Sequence, residues 1–436
     1  MERDEGRAHA PLGDTLFTGV RLIDPASGLD QPGELLIRDG RIADLGSGLG
    51  RPDGVVTVDG AGAVLCPGLV DMRAALGEPG FEYRETIASA AEAAAAGGIT
   101  TLAALPDTVP AIDDAALVHL LVARGQETGS LDILPYGAVT RGCRGEEMAE
   151  FGLLREAGAV AFTDGARAIG TARLMALALS YARGFGCRIV QHPEEPSLAA
   201  GGAATRGELA TRLGLPAIPA EAEALMVARD IGLAKLTGGA VHFAHVSTAE
   251  ALELIRRAKN DGLSVTCDTA PPYFDLNESA IGNFRTYAKL SPPLRAEADR
   301  VAVAAALADG TIDAVASDHQ PRDADDKRLP FAQAAAGGSG LVTLLAVTLA
   351  QVHGGGIGLA AAIALLTACP ARLLGSAAGT LTRGALADLC LFDPERSWQV
   401  EAGVLPGKAQ NTPFDGRGLE GRVLGTWKAG RRVFGA

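Results

Sequence analysis

The feature that most restricts the fold is a series of eight short apolar segments separated by helical stretches. The segments are 64–71, 99–106, 133–139, 159–164, 188–192, 240–247, 264–268 and 313–318. Alternation of strands and helices favours parallel βαβ units. Because no Gly-x-Gly-x-x-Gly motif opens the series, eight such units predict a closed (β/α)8 barrel of the TIM type rather than an open doubly wound sheet.

Short strands and turns flank this series at both ends of the chain. Residues 35–42 contain Asp39-Gly40 between apolar residues, which is typical of a tight hairpin. Further short strands are predicted after residue 379. Since the termini of a domain often lie close together, we expect both ends to form one small discontinuous β-sandwich. The predicted domains are 1–63 and 379–436 for the sandwich and 64–378 for the barrel.

Composition excludes several classes of function. The formal charge of −13 over 436 residues argues against nucleic-acid and anionic-membrane partners, which require a basic surface. The six cysteines are scattered without a Cys-x-x-Cys pair, as is typical of buried thiols in a reducing compartment. The first fourteen residues lack an apolar run, so we expect no signal peptide, and no long apolar stretch predicts a membrane span. A cytoplasmic location is expected.

Polar residues stand at the ends of four predicted strands. They are Thr163-Asp164, Gln191-His192, His242-x-x-His245 and Ser317-Asp318-His319. Active groups of a βα barrel come from the carboxyl ends of its strands, and three imidazole or carboxylate groups at one mouth are typical of a hydrolytic metal site. Any one of these residues is more often a structural hydrogen-bonding group or a helix cap than a ligand. His242, three residues before His245, is predicted to face the other side of its strand.

Six segments resemble motifs of the dihydroorotases, which belong to the amidohydrolase superfamily. They are 67–72 (PGLVDM), 97–101 (GGITT), 137–140 (GAVT), 243–248 (FAHVST), 291–295 (SPPLR) and 317–319 (SDH). The resemblance covers nearly the whole chain, including 411–414 (NTPF). It implies a (β/α)8 barrel with one or two zinc ions at its mouth. It also implies an enzyme of pyrimidine synthesis that opens or closes a cyclic amide.

The same resemblance implies roles for individual residues. Asp164, His192 and His245 match metal-ligand positions, and Asp318 matches the carboxylate that binds metal and carries the catalytic proton. The substrate-binding candidates are Arg295, which lies in the family-like segment 291–295, and Arg322, a cation shortly after Asp318.

Other family positions are replaced. The family's His-x-His pair and the arginine that clamps the substrate fall on Arg73, Ala75 and Gly77. Its Pro-Asn-Thr becomes 106–108 (PDT), which places the charge of Asp107 where a neutral amide is usual, and its Thr-Pro-His-His becomes 270–273 (APPY). We therefore expect zinc at one site at most, or none, and weakened binding of an anionic substrate.

Arg73 suggests a specific hypothesis. Its guanidinium would enter the vacated metal position and neutralise Asp318 or Asp164, which keeps a buried carboxylate paired without zinc. The alternative is that Arg73 extends to solvent along its aliphatic stem.

Three functions follow from these expectations. The first is a catalytically impaired dihydroorotase-like protein that acts as a structural partner of aspartate transcarbamoylase, as the resemblance implies for defective members of this kind. The second is an active cyclic-amide hydrolase that uses one remaining zinc, with Asp318 as general base. The third, which no specific residue supports, is a sensor that binds a pyrimidine precursor without converting it. A homo-oligomer is expected in each case.

Overall fold

The computed structural model describes residues 13–435. Its 19 strands, β1 to β19, are Thr15–Asp24, Leu29–Arg38, Arg41–Gly46, Val56–Asp59, Val64–Pro67, Leu69–Ala74, Ile99–Ala104, Asp132–Pro135, Gly137–Ala138, Phe162–Thr163, Arg188–Gln191, Ala204–Thr205, Ala217–Ile218, Ala240–Phe243, Val265–Thr269, Ala314–Val315, Leu389–Gln399, Gly418–Lys428 and Arg431–Phe434. Its 14 α-helices, α1 to α14, are Ile87–Ala96, Ala115–Thr128, Phe151–Glu156, Ala172–Arg183, Pro196–Ala199, Glu208–Leu213, Glu221–Thr237, Ala249–Asn260, Pro271–Asp275, Glu297–Ala308, Ala324–Arg328, Leu344–His353, Leu359–Leu366 and Ala368–Leu374.

Parallel strands form a barrel, as the alternating pattern predicts. β6, β7 and β8 pair in that order, and β9, β10, β11, β14, β15 and β16 form the other run. Two hydrogen bonds connect these two groups of strands: the Tyr136 amide donates to the Ala104 carbonyl, and the Gly137 amide donates to the Ala161 carbonyl. On the other side, the Ala75 amide donates to the His319 carbonyl at 2.8 Å. These contacts close the barrel next to the ends of its first and last strands.

One predicted strand is in fact two. The segment 64–71 breaks at Gly68, where a β-carbon would lie 2.2 Å from Thr100 Oγ1, so that only glycine fits at the break. β5 before the break pairs with β1 and β17 outside the barrel, and β6 after it is the first barrel strand. Since β6 runs to Ala74, Arg73 lies inside this strand and not after it.

The small domain contains one sheet whose strands come from both ends of the described chain. Its order is β19-β18-β17-β5-β1-β2-β3, with β4 pairing with β1. A core of side chains such as Phe17, Leu35, Leu389 and Trp427 lies beneath this sheet. The predicted fold class, a TIM-type barrel with a β-sandwich domain built from both termini, is confirmed.

Two further properties bear on the sequence predictions. All six cysteines are free, and all except Cys369 are buried. Within residues 13–435, none of the helices combines the length and the apolar character that a membrane span requires. The prediction about the first fourteen residues falls mostly on residues 1–12, outside the described part.

Candidate active site at the barrel mouth

Three of the residues singled out at strand ends lie together and bind one another directly. His192 follows β11, His245 follows β14 and Asp318 follows β16, so the barrel brings them to one mouth. His192 Nδ1 lies 2.7 Å from His245 Nε2, and His245 Nδ1 lies 3.1 Å from Asp318 Oδ2. His245 and Asp318 both have positive φ, 41° and 47°, a conformation rare for residues with a β-carbon and frequent at functional sites.

Arg73 completes this row of side chains. Its Nε donates to Asp318 Oδ1 at 2.9 Å, and its Nη2 donates to the Gly165 carbonyl at 3.1 Å. The Arg73 side chain is 1% exposed, so the alternative in which it extends to solvent is wrong. The hypothesis that its guanidinium neutralises Asp318 is confirmed by this contact. Asp164, the other carboxylate considered, is not its partner.

The charges follow from these contacts. The pKa of His245 is lowered to about 4, mainly by burial; the charge of Asp318 raises it and the charge of Arg73 lowers it, and burial outweighs Asp318. His245 is therefore neutral at pH 7. Burial alone would raise the pKa of Asp318, but His245 and Arg73 outweigh it and hold that pKa at about 2. At neutral pH the site contains an ionised Asp318 beside a guanidinium.

Asp164 is held separately by the preceding strand. Both of its oxygens accept from Thr140, at 2.9 Å from the backbone amide and 2.6 Å from the hydroxyl. Burial raises the pKa of Asp164, and the bonds from Thr140 offset part of this effect. These two bonds fix the orientation of the Asp164 carboxylate.

The residues present do not fit a zinc ion in this arrangement. A nitrogen of His245 that would bind zinc faces His192 instead, and the Arg73 guanidinium lies where it would repel a cation. No three of the four predicted ligands (Asp164, His192, His245, Asp318) bring donor atoms within 4.8 Å of one another. Across residues 13–435, that criterion is met only by an exposed group of other residues: His353, Glu395 and Glu420.

Several supporting residues were not predicted from the sequence. Glu194 Oε2 lies 3.6 Å from His192 Nε2. Burial raises the pKa of Glu194, but the contact with His192 outweighs burial, and the net effect is a lowered pKa. Asp268 joins two strands, since it contacts His242 Nε2 at 2.9 Å and accepts from the His245 amide at 2.6 Å. His242 thus lies behind the site, consistent with its predicted opposite face. The signal that was available for Glu194 was its position two residues after His192.

Two replaced positions now have a structural reason. Gly77 has φ +71°, and a β-carbon there would lie 2.4 Å from the Glu85 carbonyl oxygen. No side chain fits at Gly77 on this backbone. The Asp107 carboxylate packs against Gly165, where a β-carbon would lie 2.3 Å from the carboxyl carbon. Asp107 Oδ2 accepts a hydrogen bond from the Ala166 amide at 3.1 Å.

The two predicted substrate-binding arginines lie apart. Arg295 is buried, with its Nε donating to Ser247 at 3.0 Å and its Nη2 3.6 Å from Glu223. Arg322 lines a cavity of about 240 Å³ at the barrel mouth, together with Ala75, Gly77 and Asp107. Their roles toward a substrate stay predictions.

Comparison with known proteins identifies the family. The family model described as dihydro-orotase-like matches residues 62–251. A protein of Pelobacter propionicus named dihydroorotase is 45% identical over 96% of this chain and 99% of its own length. A dihydroorotase of Anaeromyxobacter dehalogenans strain 2CP-1 is 44% identical over 97% of this chain and 98% of its own length.

Solved structures show the same architecture. An L-hydantoinase from Arthrobacter aurescens superposes with a TM-score of 0.86 at 25% identity, covering 97% of this chain and 96% of that one. A dihydropyrimidinase from Brevibacillus agri gives 0.82 at 22% identity over 97% and 95%, which shows the fold alone. The resemblance to dihydroorotases is thereby confirmed, and the chain belongs to the dihydroorotase family.

Proposed function

We propose that this chain is a dihydroorotase-like protein of pyrimidine biosynthesis that is catalytically impaired and serves as a structural partner of aspartate transcarbamoylase. The observation that carries the loss of catalysis is the ion pair between Arg73 and Asp318. A guanidinium at 2.9 Å occupies the carboxylate oxygen that would otherwise face a reacting water or a metal.

The chemistry of Asp318 supports the same conclusion. A general base works best when its pKa lies near the working pH. The pKa of Asp318 is about 2, since His245 and Arg73 together overcome the effect of burial, so this carboxylate is a weak base at pH 7. Gln320 also donates to Asp318 Oδ1, at 3.2 Å. With these partners in place, Asp318 has little capacity to accept a proton from water.

The partner role rests on the family resemblance together with the condition of the barrel. All eight strands are present, and a continuous apolar core joins the barrel to its helices. The strands and the core are thus intact where the reacting groups are neutralised, which is what a structural role permits. The buried free thiols support a reducing, cytoplasmic setting.

The test combines two measurements on one sample purified without chelator. We expect less than about a tenth of an equivalent of zinc and no hydrolysis of dihydroorotate above the uncatalysed rate. Coexpression with the aspartate transcarbamoylase of the same genome should give one complex in size-exclusion chromatography, with a transcarbamoylase more heat-stable than alone. Two separately eluting, separately stable proteins would contradict the partner role.

The competing function is an active cyclic-amide hydrolase with one zinc. It is favoured by the name dihydroorotase given to relatives that match this chain over nearly its full length. One equivalent of zinc with turnover that a chelator abolishes would establish this alternative and refute the proposed loss of catalysis.

A further inference from the structure

Helix α7 turns apolar residues toward solvent. Of the 17 residues of Glu221–Thr237, Leu225 is 55% exposed and Leu236 is 76% exposed, and Ala228 and Gly232 are exposed between them. Because these four residues are spaced three or four positions apart, they lie along one side of the helix. We call these four residues the α7 face. The outer helices of a globular domain usually place charged and polar residues on this side.

Two acidic residues of α7 point inward instead. Glu223 is buried and accepts from the Thr248 amide at 2.9 Å. Asp230 is buried and accepts from Gln191 Nε2 at 2.8 Å and from Arg229 Nε at 2.8 Å. These charges are used inside the protein, so they do not make the outer side of the helix polar. Since a helix that is apolar on all sides is usually buried, the α7 face is expected to be covered by another molecule.

The next barrel helix, α8, has the usual arrangement. Its residues Glu250, Arg257 and Asn260 are exposed, and Arg257 pairs with Glu253 at 2.8 Å. The apolar α7 face is therefore a property of this helix and is not required by its place in the barrel. Helix α4 also packs against α7 and adds a further leucine to this side of the barrel, Leu177, which is 49% exposed.

Gly232 lies in the α7 face although the fold of the single chain leaves room for a larger residue. A β-carbon at Gly232 would have no atom within 4 Å, and the backbone there is helical. Glycine is less favourable in a helix interior than any residue except proline. A small residue on an exposed helix does allow a second helix to approach closely, since the distance between packed helix axes depends on the side chains at the contact. The glycine therefore indicates a partner helix.

The α7 face is complementary to itself when two copies run in opposite directions. From the first turn to the last, the order is an acidic residue, a leucine, two small residues, and a leucine beside a basic residue: Glu221, Leu225, Ala228, Gly232, Leu236 and Lys235. Antiparallel packing brings Leu225 to Leu236 of the second copy and sets small residues against small residues at the centre. It also brings the acidic first turn of one copy to the basic last turn of the other and opposes the two helix dipoles. Arg206 contacts Glu221 at 3.3 Å, but this pair is exposed and therefore weak.

We propose that the α7 face is the centre of a symmetric homodimer interface, in which α7 packs antiparallel against α7 of a second copy. Two-fold interfaces are the commonest among homo-oligomers. With 17 residues, α7 is about 25 Å long and about 10 Å across, so its face offers roughly 250 Å². A stable complex buries about 800 Å² per partner. Flanking residues such as Leu177 therefore complete the interface, and we expect a dissociation constant in the micromolar range. This inference goes beyond the proposed function and depends neither on the loss of catalysis nor on the transcarbamoylase.

The experiment is sedimentation velocity of the full chain at concentrations from about 1 to 200 μM, which span the expected affinity. The wild type should pass from monomer to dimer within this range. Leu225→Lys and Leu236→Lys should each raise the dissociation constant about tenfold or more, because each places an unpaired charge from both copies in the contact. Leu120→Lys is the matched control, since Leu120 is 39% exposed on α2, which packs against α1 and α3, and this variant should dimerise like the wild type. A wild type that stays monomeric at the highest concentration, or unchanged association in both test variants, would overturn the proposal.

Gly232→Lys separates loss of the contact from misfolding. Lysine is a better helix former than glycine and has open space at this position, so the dilute, monomeric variant should unfold at a higher urea concentration than the wild type. The same side chain would hold the two helices apart and should weaken dimerisation about tenfold or more. Dimerisation at wild-type strength, or a lower unfolding midpoint, would overturn the inference drawn from Gly232.

Two double variants test the antiparallel direction. Leu225→Glu combined with Leu236→Lys should still dimerise, because antiparallel packing sets the new carboxylate of one copy against the new ammonium group of the other. Leu225→Lys combined with Leu236→Lys should be monomeric, because like charges meet. If both double variants are equally monomeric, the antiparallel pairing is wrong.

The same variants separate this inference from the proposed partner role. If the wild type alone is monomeric and Leu225→Lys abolishes a complex with the coexpressed transcarbamoylase, the α7 face belongs to that partner and the homodimer is refuted. If the wild type dimerises through α7 and no such complex forms, only the proposed partner role is refuted.

Discussion

Replacement of Arg73 by methionine tests the central contact of the site. The change keeps much of the side-chain volume and removes the guanidinium, which leaves Asp318 only 10% exposed and without its cationic partner. Breaking a buried ion pair by removing one partner typically costs about 3–5 kcal/mol. Because His245 and Gln320 still donate to Asp318, we expect the lower end, about 3 kcal/mol.

A second route gives a similar magnitude. Asp318 has a pKa of about 2 in the folded chain, where His245 and Arg73 outweigh burial, against about 3.9 when unfolded. A difference of roughly two pKa units corresponds to about 2–3 kcal/mol, shared between Arg73 and His245. Since the folded pKa is the lower one, this stability is present above pH 4 and is lost as the pH falls toward 2. Without Arg73 this decline should become shallower.

The measurement is urea unfolding of the wild type, Arg73→Met, Asp318→Asn and the double variant. The double variant should recover part of the loss, because no buried charge is left unpaired. Arg21→Met is the control, since the Arg21–Asp30 pair is of similar length, 2.7 Å, but 46% and 34% exposed, and is expected to change stability by less than about 1 kcal/mol. A loss below about 1 kcal/mol for Arg73→Met, with an unchanged acid limb, would refute the reasoning.

Three further outcomes are expected. The double change Arg73→His and Ala75→His should restore zinc binding, measured by metal analysis, with poor turnover because Gly77 and Asp107 remain; native-like activity would show that the substrate argument is wrong. Gly77→Ala should destabilise the fold through a clash with the Glu85 carbonyl, seen as a lower unfolding midpoint than for Gly28→Ala, which has a similar φ and open space. Burial lowers the pKa of Lys327 to about 7, so between pH 7 and 10 the folded chain releases a proton that the unfolded chain keeps. The free energy of unfolding should therefore rise with pH over this range. Lys327→Met should flatten that rise, as measured by urea unfolding at several pH values.

The fold was predictable because its main signals are local and repeated. Eight apolar segments separated by helical stretches specify a barrel, and the Asp39-Gly40 hairpin specifies sheet structure outside it. The error at Gly68 has a physical reason. Whether an apolar run of eight residues is one strand or two depends on its partners in the fold: β5 pairs with β1 and β17, whereas β6 pairs with β7.

The sequence by itself determined the family, the barrel, and the absence of the His-x-His pair at Arg73 and Ala75. Only the tertiary structure decided where the Arg73 guanidinium goes, because an arginine side chain has several rotamers and its partner, Asp318, lies 245 residues away. Likewise, only the folded barrel brings Asp107 and Arg322 to one cavity. Residue type is local, whereas the pairing and burial of charges depend on which strand ends meet.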